Sequence, residues 1–322
     1  MRIERTADFK LGLFIYCLLS LVAITLLLFA GGFTTSIKAG MAFLDWPLSN
    51  GSINPEGWLT ESDKFAEHSH RLLGAQIGLI SIGLVLWTYL KESRAWMRHL
   101  SLALLAIVIF QGLLGGGRVV FDQLNTFWDN NLVAQSFAVA HACGAMLVLT
   151  LLVSLTIASS KAWISGRFDF SNLEGACCLR RMAWIAYGLT FVQIAVGAVM
   201  RHADAGLAIA RFPLANAHSV LPDYWNFGVS IHFAHRVGAL VLTAFLIYYC
   251  VRLFRQRRVH GFFFRYPLMI SGILLLQVYL GALTIWTVKN PYSATMHHLV
   301  GALLLATVWG TTFILNKQPD SA

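Results

Sequence analysis

The stretch Glu67-His68-Ser69-His70-Arg71 stands at the mouth of an otherwise apolar segment, where ionisable groups are expensive and by default functional. Side chains at i, i+3 and i+4 stack on one helical face, so Glu67, His70 and Arg71 share a face and His68 points elsewhere. The pattern returns as His232-Phe233-Ala234-His235-Arg236, with the His-Arg pair kept and His232 in place of the glutamate. His141 and His298 head two further apolar segments.

Composition sets the class around these motifs. The chain of 322 residues is 57% hydrophobic and 12% charged, with a mean hydropathy of +0.65, whereas a soluble domain carries roughly one-quarter charged residues. An all-α polytopic membrane protein is expected. Eight helices, near 11–33, 67–90, 100–119, 132–157, 182–200, 226–251, 267–288 and 293–315, each have about the 20 residues that cross a bilayer core. With the N-terminus inside, 16 of the 24 basic residues, from Arg2 and Arg5 to Lys317, fall on the inner side. Away from the two His-Arg motifs the outer side holds Lys38, Lys64, Arg118, Arg201, Arg211 and Lys289, and the positive-inside rule then puts both termini in the cytoplasm. The first segment shows no small-residue cleavage site and is read as a helix rather than a signal peptide. No Arg- and Ser-rich transit segment is seen, which favours a bacterial plasma membrane. The net charge of +9 reports topology and contact with anionic lipid, not nucleic acid.

Cysteine usage excludes outer disulfides. Cys17, Cys143 and Cys250 lie in spans, and Cys177 and Cys178 are expected in a cytoplasmic loop, where disulfides are disfavoured.

The chain also repeats itself. Ala39-Gly40 and Pro47-Leu48-Ser49-Asn50 after the first span match Ala205-Gly206 and Pro213-Leu214-Ala215-Asn216 after the fifth, an offset of 166 residues. Gln111 and Gly115 meet Gln277 and Gly281 at the same offset, and Gln193 and Gly197 repeat their spacing. Four crossings per half make this a parallel repeat about an axis along the membrane normal. The expected architecture is two four-helix bundles, residues 1–160 and 182–322, joined by a cytoplasmic linker over 161–181. The Gln-x-x-x-Gly elements are read first as close helix contacts. The two outer loops are read as caps over the bundles, with His202 and His218 solvated.

The second, fourth, sixth and eighth helices run from outside to inside, and each carries a histidine within about two turns of its start. These four imidazoles form one layer near the outer face and pair by halves, His70 with His141 and His235 with His298. Two imidazoles across an apolar bundle suit the axial positions of a haem iron, whereas zinc asks for three or four clustered protein ligands. Arg71 and Arg236 are placed to pair with haem propionates. His232 shares the face of His235 and is a partner behind it or an alternative ligand. His297 points about 100° away from His298, and His298 is chosen because the Leu-Val-Gly-Ala after it resembles the Ala-Cys-Gly-Ala after His141. His68 is read as interfacial.

These residues together resemble the haem A synthase family. Glu67-x-x-His70-Arg71, His235-Arg236, His141, His298 and the Ala-Gly…Pro-Leu-x-Asn loops carry the resemblance over nearly the whole chain. It implies oxidation of the C8 methyl of haem O, through an alcohol, to the formyl group of haem A. It also implies haem O as substrate in the N-terminal half and haem b as cofactor in the C-terminal half. Haem O synthase and terminal oxidase assembly factors are the implied partners, and a homo-oligomer is compatible with it. The residues favour the same division: a carboxylate, Glu67, stands one turn from the histidine only in the first half, as a proton acceptor or a stabiliser of positive charge. Its plainer role is an ion pair with Arg71. Outer-loop cysteines found in some family members are absent here, so no thiol-disulfide step is expected there. An electron-transfer cytochrome with two bis-histidine haems, a non-catalytic haem carrier and a permease are the competing classes.

Overall fold

The structure, a computed structural model, describes residues 8–124, 131–168, 170, 173 and 175–317. Arg2 and Arg5, counted above toward orientation, lie outside the described residues. The elements are α1 (Leu11–Ser36), α2 (Ser62–Lys91), α3 (Ala95–Leu124), α4 (Leu132–Ser159), α5 (Lys161–Ile164), α6 (Ala176–His202), α7 (Phe227–Phe254), α8 (Phe262–Trp286) and α9 (Pro291–Leu315). All except α5 are long and apolar enough to cross a membrane. Among the described residues there is no strand, only an isolated bridge between Ser49 and Ser52. The chain is an all-helical, multi-pass membrane protein.

Most helices run a few residues beyond the apolar segments. Hydropathy marks what sits in hydrocarbon, whereas caps and interfacial turns decide where a helix ends. The side chains of Asn131, Asn226 and Asn290 cap α4, α7 and α9 by accepting from the amides of Ala134, Val229 and Tyr292, and Pro291 takes the first position of α9. Helix α8 begins at Phe262, so Pro267 lies inside it rather than at its start. Helix α6 reaches back to Ala176 and absorbs the end of the expected linker. Cys177 and Cys178 are therefore exposed residues of its first turn and not of a loop.

In the first half α1 packs on α2, α2 on α3, α3 on α4 and α4 on α1; in the second half α6, α7, α8 and α9 make the same closed ring. The halves meet through α1–α9, α4–α6 and α4–α9 contacts. Helices α4 and α9 are consequently central, with 67% and 61% of their most apolar stretches buried against 33% or less in the others. Leu149, Leu152 and Leu155 of α4 join Leu305 of α9 in one core, while Leu304 and Val308 of α9 join Leu246, Tyr249 and Phe263 in a second. Trp309 Nε1 donates to Ser154 Oγ across the centre at 2.8 Å. In lipid such contacts rest on packing and on satisfied polar atoms, because the surrounding tails are as apolar as the side chains.

At the end of the bundle that carries the α2–α3 corner, Arg94 ties that corner to α4, donating to Ala158 O and pairing with buried Glu92 at 2.9 Å. Burial works to raise the Glu92 carboxyl, and the Arg94 guanidinium outweighs it, holding the group below the usual carboxylate range. At the opposite end the loops after α1 and α6 fold over their own bundles. Each contains a cis proline bond, Trp46–Pro47 and Phe212–Pro213. Asp204 joins the halves by pairing with Lys38 and Lys289.

Candidate functional site: two imidazole pairs under matching caps

His70 of α2 faces His141 of α4, with ring centres 6.4 Å apart and planes at 85°. In the second half the facing rings are His235 of α7 and His297 of α9, again 6.4 Å apart and at 78°. Each ring lies against a glycine of the adjacent odd-numbered segment or its counterpart. A Cβ at Gly31 would stand 2.6 Å from His70 Cε1, at Gly197 3.0 Å from His235 Cε1, at Gly115 3.4 Å from His141 Cε1 and at Gly281 3.0 Å from His297 Cε1. Gly31 and Gly197, like Gly115 and Gly281, are 166 residues apart.

The Nδ1 side of three rings is fixed. His141 Nδ1 bonds Gln111 O and His297 Nδ1 bonds Gln277 O, each at 3.1 Å. His235 Nδ1 lies 3.0 Å from the Gln193 side-chain amide, which also donates to His235 O at 2.8 Å. Where Nδ1–H donates to a carbonyl, as in His141 and His297, the lone pair of Nε2 is left for a metal. The position 166 residues before Gln193 is Leu27, so His70 has no such side-chain partner.

These residues fit a haem. A metal held through imidazole on both sides at the usual ~2.0–2.1 Å sets the ring centres roughly 6 Å apart, close to the observed 6.4 Å in both pairs. Among the described residues no group of three or more His, Cys, Asp or Glu side chains is placed to hold a bare ion. Two protein ligands suffice only when a macrocycle supplies the rest of the coordination.

The caps are fastened just outside each pair by the His-Arg motifs. Arg71 donates to the carbonyls of Phe43, Asp45 and Leu48 at 3.1, 2.7 and 2.5 Å, and to Glu67 Oε1 at 2.6 Å. Arg236 donates to the carbonyls of Ile209, Arg211 and Leu214 at 2.9, 2.5 and 3.4 Å. Glu67 Oε2 accepts from Phe43 N at 3.1 Å, and His232 Nδ1 accepts from Ile209 N at 3.3 Å. Asp45 accepts from the amides of Asn50 and Gly51, each at 2.7 Å, closing the turn beneath which Arg71 reaches.

A profile described as "Cytochrome oxidase assembly protein" (COX15-CtaA) matches residues 14–309. The chain belongs to this cytochrome oxidase assembly family. It is 27% identical over 317 residues to a protein of Listeria monocytogenes serotype 4a, covering 95% of this chain and 96% of that one. It is 28% identical over 318 residues to one of Listeria welshimeri, covering 95% and 96%. To one of Alkalihalophilus pseudofirmus it is 26% identical over 308 residues, covering 94% and 97%. All three relatives are named heme A synthase.

In this family member the structure places several of the predicted residues differently. His298 does not face His235: its Cδ2 lies 3.0 Å from where a Gly32 Cβ would stand, in the contact between α9 and α1. Gly301 follows His297 by four residues and His298 by three, and both spacings lie on one helical face, so α9 alone does not choose between them. The choice is made by α8, whose Gly281 receives His297 and whose Gln277 O holds it. Arg71 and Arg236, expected beside propionates, turn their terminal nitrogens to cap carbonyls, and the buried Nε of Arg236 has no partner. His68 is not interfacial but 4% exposed, packed on Trp58 and Phe43 and bonded to Ser49 Oγ at 3.1 Å. His202, expected to be solvated, ends α6 half-buried.

The glutamines and glycines were the undervalued signal. Their residues serve helix contact and imidazole placement at once: Gln111 lies over Gly144, Gln193 over Gly238 and Gln277 over Gly301, too close for a Cβ without movement. The constant 166-residue offset carried that information, since helix packing alone does not require Gln and Gly to recur together.

Proposed function

We propose that the protein is a haem A synthase that binds haem O between His70 and His141 in the half spanning residues 1–160. It oxidises the C8 methyl, through an alcohol, to the formyl group of haem A. In the same reading haem b is the cofactor of residues 182–322, between His235 and His297, and 161–181 join the halves on the cytoplasmic side of a bacterial plasma membrane. The observation that supports this most directly is the doubled imidazole pair with ring centres 6.4 Å apart, in a chain whose relatives are named heme A synthase.

Haem b, when bound, supplies a one-electron redox centre. The residues of the chain do the rest. Gln111 and Gln277 hold imidazole orientation through their carbonyls, and the glycines let the rings sit within the helix contacts. The caps, clamped by Arg71 and Arg236, keep water from the outer end of each bundle. Glu67 is 4% exposed and one turn from His70. Its carboxylate is held by Arg71 and by Phe43 N, and its charge acts at short range in a water-poor site as methyl oxidation develops positive charge and releases a proton. His232 has the same contact with its cap amide without a carboxylate, which supports placing the chemistry in the first half. A haem O synthase and the terminal oxidase assembly machinery are the partners on either side of this reaction.

Expression with and without a haem O-producing enzyme, followed by extraction and separation of the non-covalent haems, tests the reading. Haem A is expected only with the haem O source and is expected to vanish in Glu67→Ala while haem b remains. Haem b alone under every condition would leave an electron-transfer cytochrome or a haem carrier.

A further inference from the structure

The outer ends of α3, α4 and α6 enclose a cavity of about 220 Å³ walled by Arg118, Asp122, Asn131, Gln135 and His202, with Ala134 and Ala138 along its side. Ala134, Ala138 and His141 share one face of α4, and Arg118 stands one turn outward from Gly115, the glycine that receives His141. Arg118 therefore lies about one turn beyond the His70–His141 pair. Its guanidinium lies against the first cap, with Nη1 2.5 Å from where a Gly40 Cβ would be.

Among the described residues no hydrogen bond or ion pair engages this guanidinium, and Asp122, four residues on in the same cavity, forms no ion pair with it. Arg71 and Arg236 hold caps through their terminal nitrogens, Arg201 donates to Gly32 O and Ser36 Oγ, and Arg211 is exposed on the second cap, away from the cavity. The second half has no counterpart. The position 166 residues after Arg118 is Thr284, whose hydroxyl donates to Leu280 O. The cation lying against Gly206 there, as Arg118 lies against Gly40, is Lys289, and it is paired with Asp204.

We propose that Arg118 anchors a carboxylate of the ligand held between His70 and His141, which on the functional reading above, and resting on it, is a propionate of the substrate haem. The half that must release its haem after reaction then recognises it by a charge the cofactor half does not use, and the role assigned from sequence to Arg71 passes to Arg118. A guanidinium without an internal partner is suited to this, because a carboxylate entering the cavity gains a charge-assisted bond without breaking one.

The test titrates the purified membrane protein with haem b and with its dimethyl ester, in which both carboxylates are masked, following the bis-imidazole absorption. Wild type, Arg118→Gln, Arg118→Lys and His70→Ala are compared, and haem retained by the His235–His297 pair reports that each variant is folded. Wild type is expected to favour the free acid over the ester by about tenfold or more, the usual size of a hydrogen bond to a charged group. Arg118→Gln is expected to erase that preference by weakening the acid alone, and Arg118→Lys to keep part of it. An unchanged acid-over-ester preference in Arg118→Gln, with a titration signal that His70→Ala abolishes, overturns the assignment of Arg118 and leaves the haem site standing. A signal that survives His70→Ala shows that no haem sits between His70 and His141, and both readings fall together.

Discussion

Glu67 and Arg71, one turn apart on α2, form a buried ion pair: Arg71 Nη2 lies 2.6 Å from Glu67 Oε1, and the two side chains are 14% and 5% exposed. Both members of the pair bind the first cap from one helical face. Arg71 fastens the first cap through three carbonyls, and Glu67 accepts from the amide of Phe43 in the same cap.

Breaking such a pair from one side strands the other charge, which costs about 3–5 kcal/mol when buried. Arg71→Met is therefore expected to lower stability far more than Glu67→Gln, because it also releases the cap carbonyls. The double variant should be less destabilised than the sum of the singles by about 1–3 kcal/mol. Unfolding in detergent measures the cycle. Haem A formation separates the roles further: Glu67→Gln is expected to abolish it in a protein that still folds and retains haem b, and full activity in that variant would remove Glu67 from the chemistry.

His297 and His298 differ by one position and face different neighbours, α8 and α1. His297→Ala is expected to remove the haem of the second half and its low-spin bis-imidazole absorption, while His298→Ala leaves both. Haem loss in His298→Ala with retention in His297→Ala would reverse the assignment. Low-temperature absorption spectra of the two purified variants decide the point.

Much of this arrangement was legible before any coordinates. Composition and hydropathy named the eight spans because lipid leaves few alternatives to a helix, and three of four facing histidines followed from their common depth. The fourth failed because a helix face is wider than one residue, so His297 and His298 both satisfied the spacing to Gly301. The cap contacts of the arginines were not legible for a different reason. A sequence shows that Arg71 and Arg236 are placed beside a site but not that loops 20 to 30 residues away turn their carbonyls onto them. Arg118 looked like an ordinary end-of-span cation, and only its missing partners in three dimensions set it apart.

The glycines under the rings can be ranked. A Cβ at Gly31 would approach His70 to 2.6 Å, whereas one at Gly115 would stand 3.4 Å from His141, ordinary contact. Gly31→Ala is expected to displace His70 and weaken haem binding in the first half, and Gly115→Ala to do so much less. Gly74→Ala meets nothing within 4 Å and is expected to be neutral or stabilising by about 0.5–1 kcal/mol, since alanine is the better helix former. Haem stoichiometry and unfolding midpoints of the three variants give the order, and equal effects would show that the rings are not confined by these glycines.

The first cap also carries an acid-sensitive turn outside the membrane. Burial works to raise the Asp45 carboxyl, but the amides of Gly51 and Asn50, with Arg71 nearby, prevail and hold it below the usual range. A carboxyl lowered on folding stabilises the turn above its unfolded value, near pH 4, and loses that contribution as pH falls through the lower folded value. Protection of the Asn50 and Gly51 amides, corrected for intrinsic exchange, is thus expected to be flat from neutral pH to about 4 and to fall below it. Asp45→Asn keeps one acceptor and cannot titrate, so its protection should be lower at neutral pH and insensitive to acid. A wild-type profile that stays flat through that acid range would mean that Asp45 does not hold the turn. Since Arg71 grips the same turn through Asp45 O and Leu48 O, the acid loss should stop short of releasing the cap, and Arg71→Met should extend it to the whole loop.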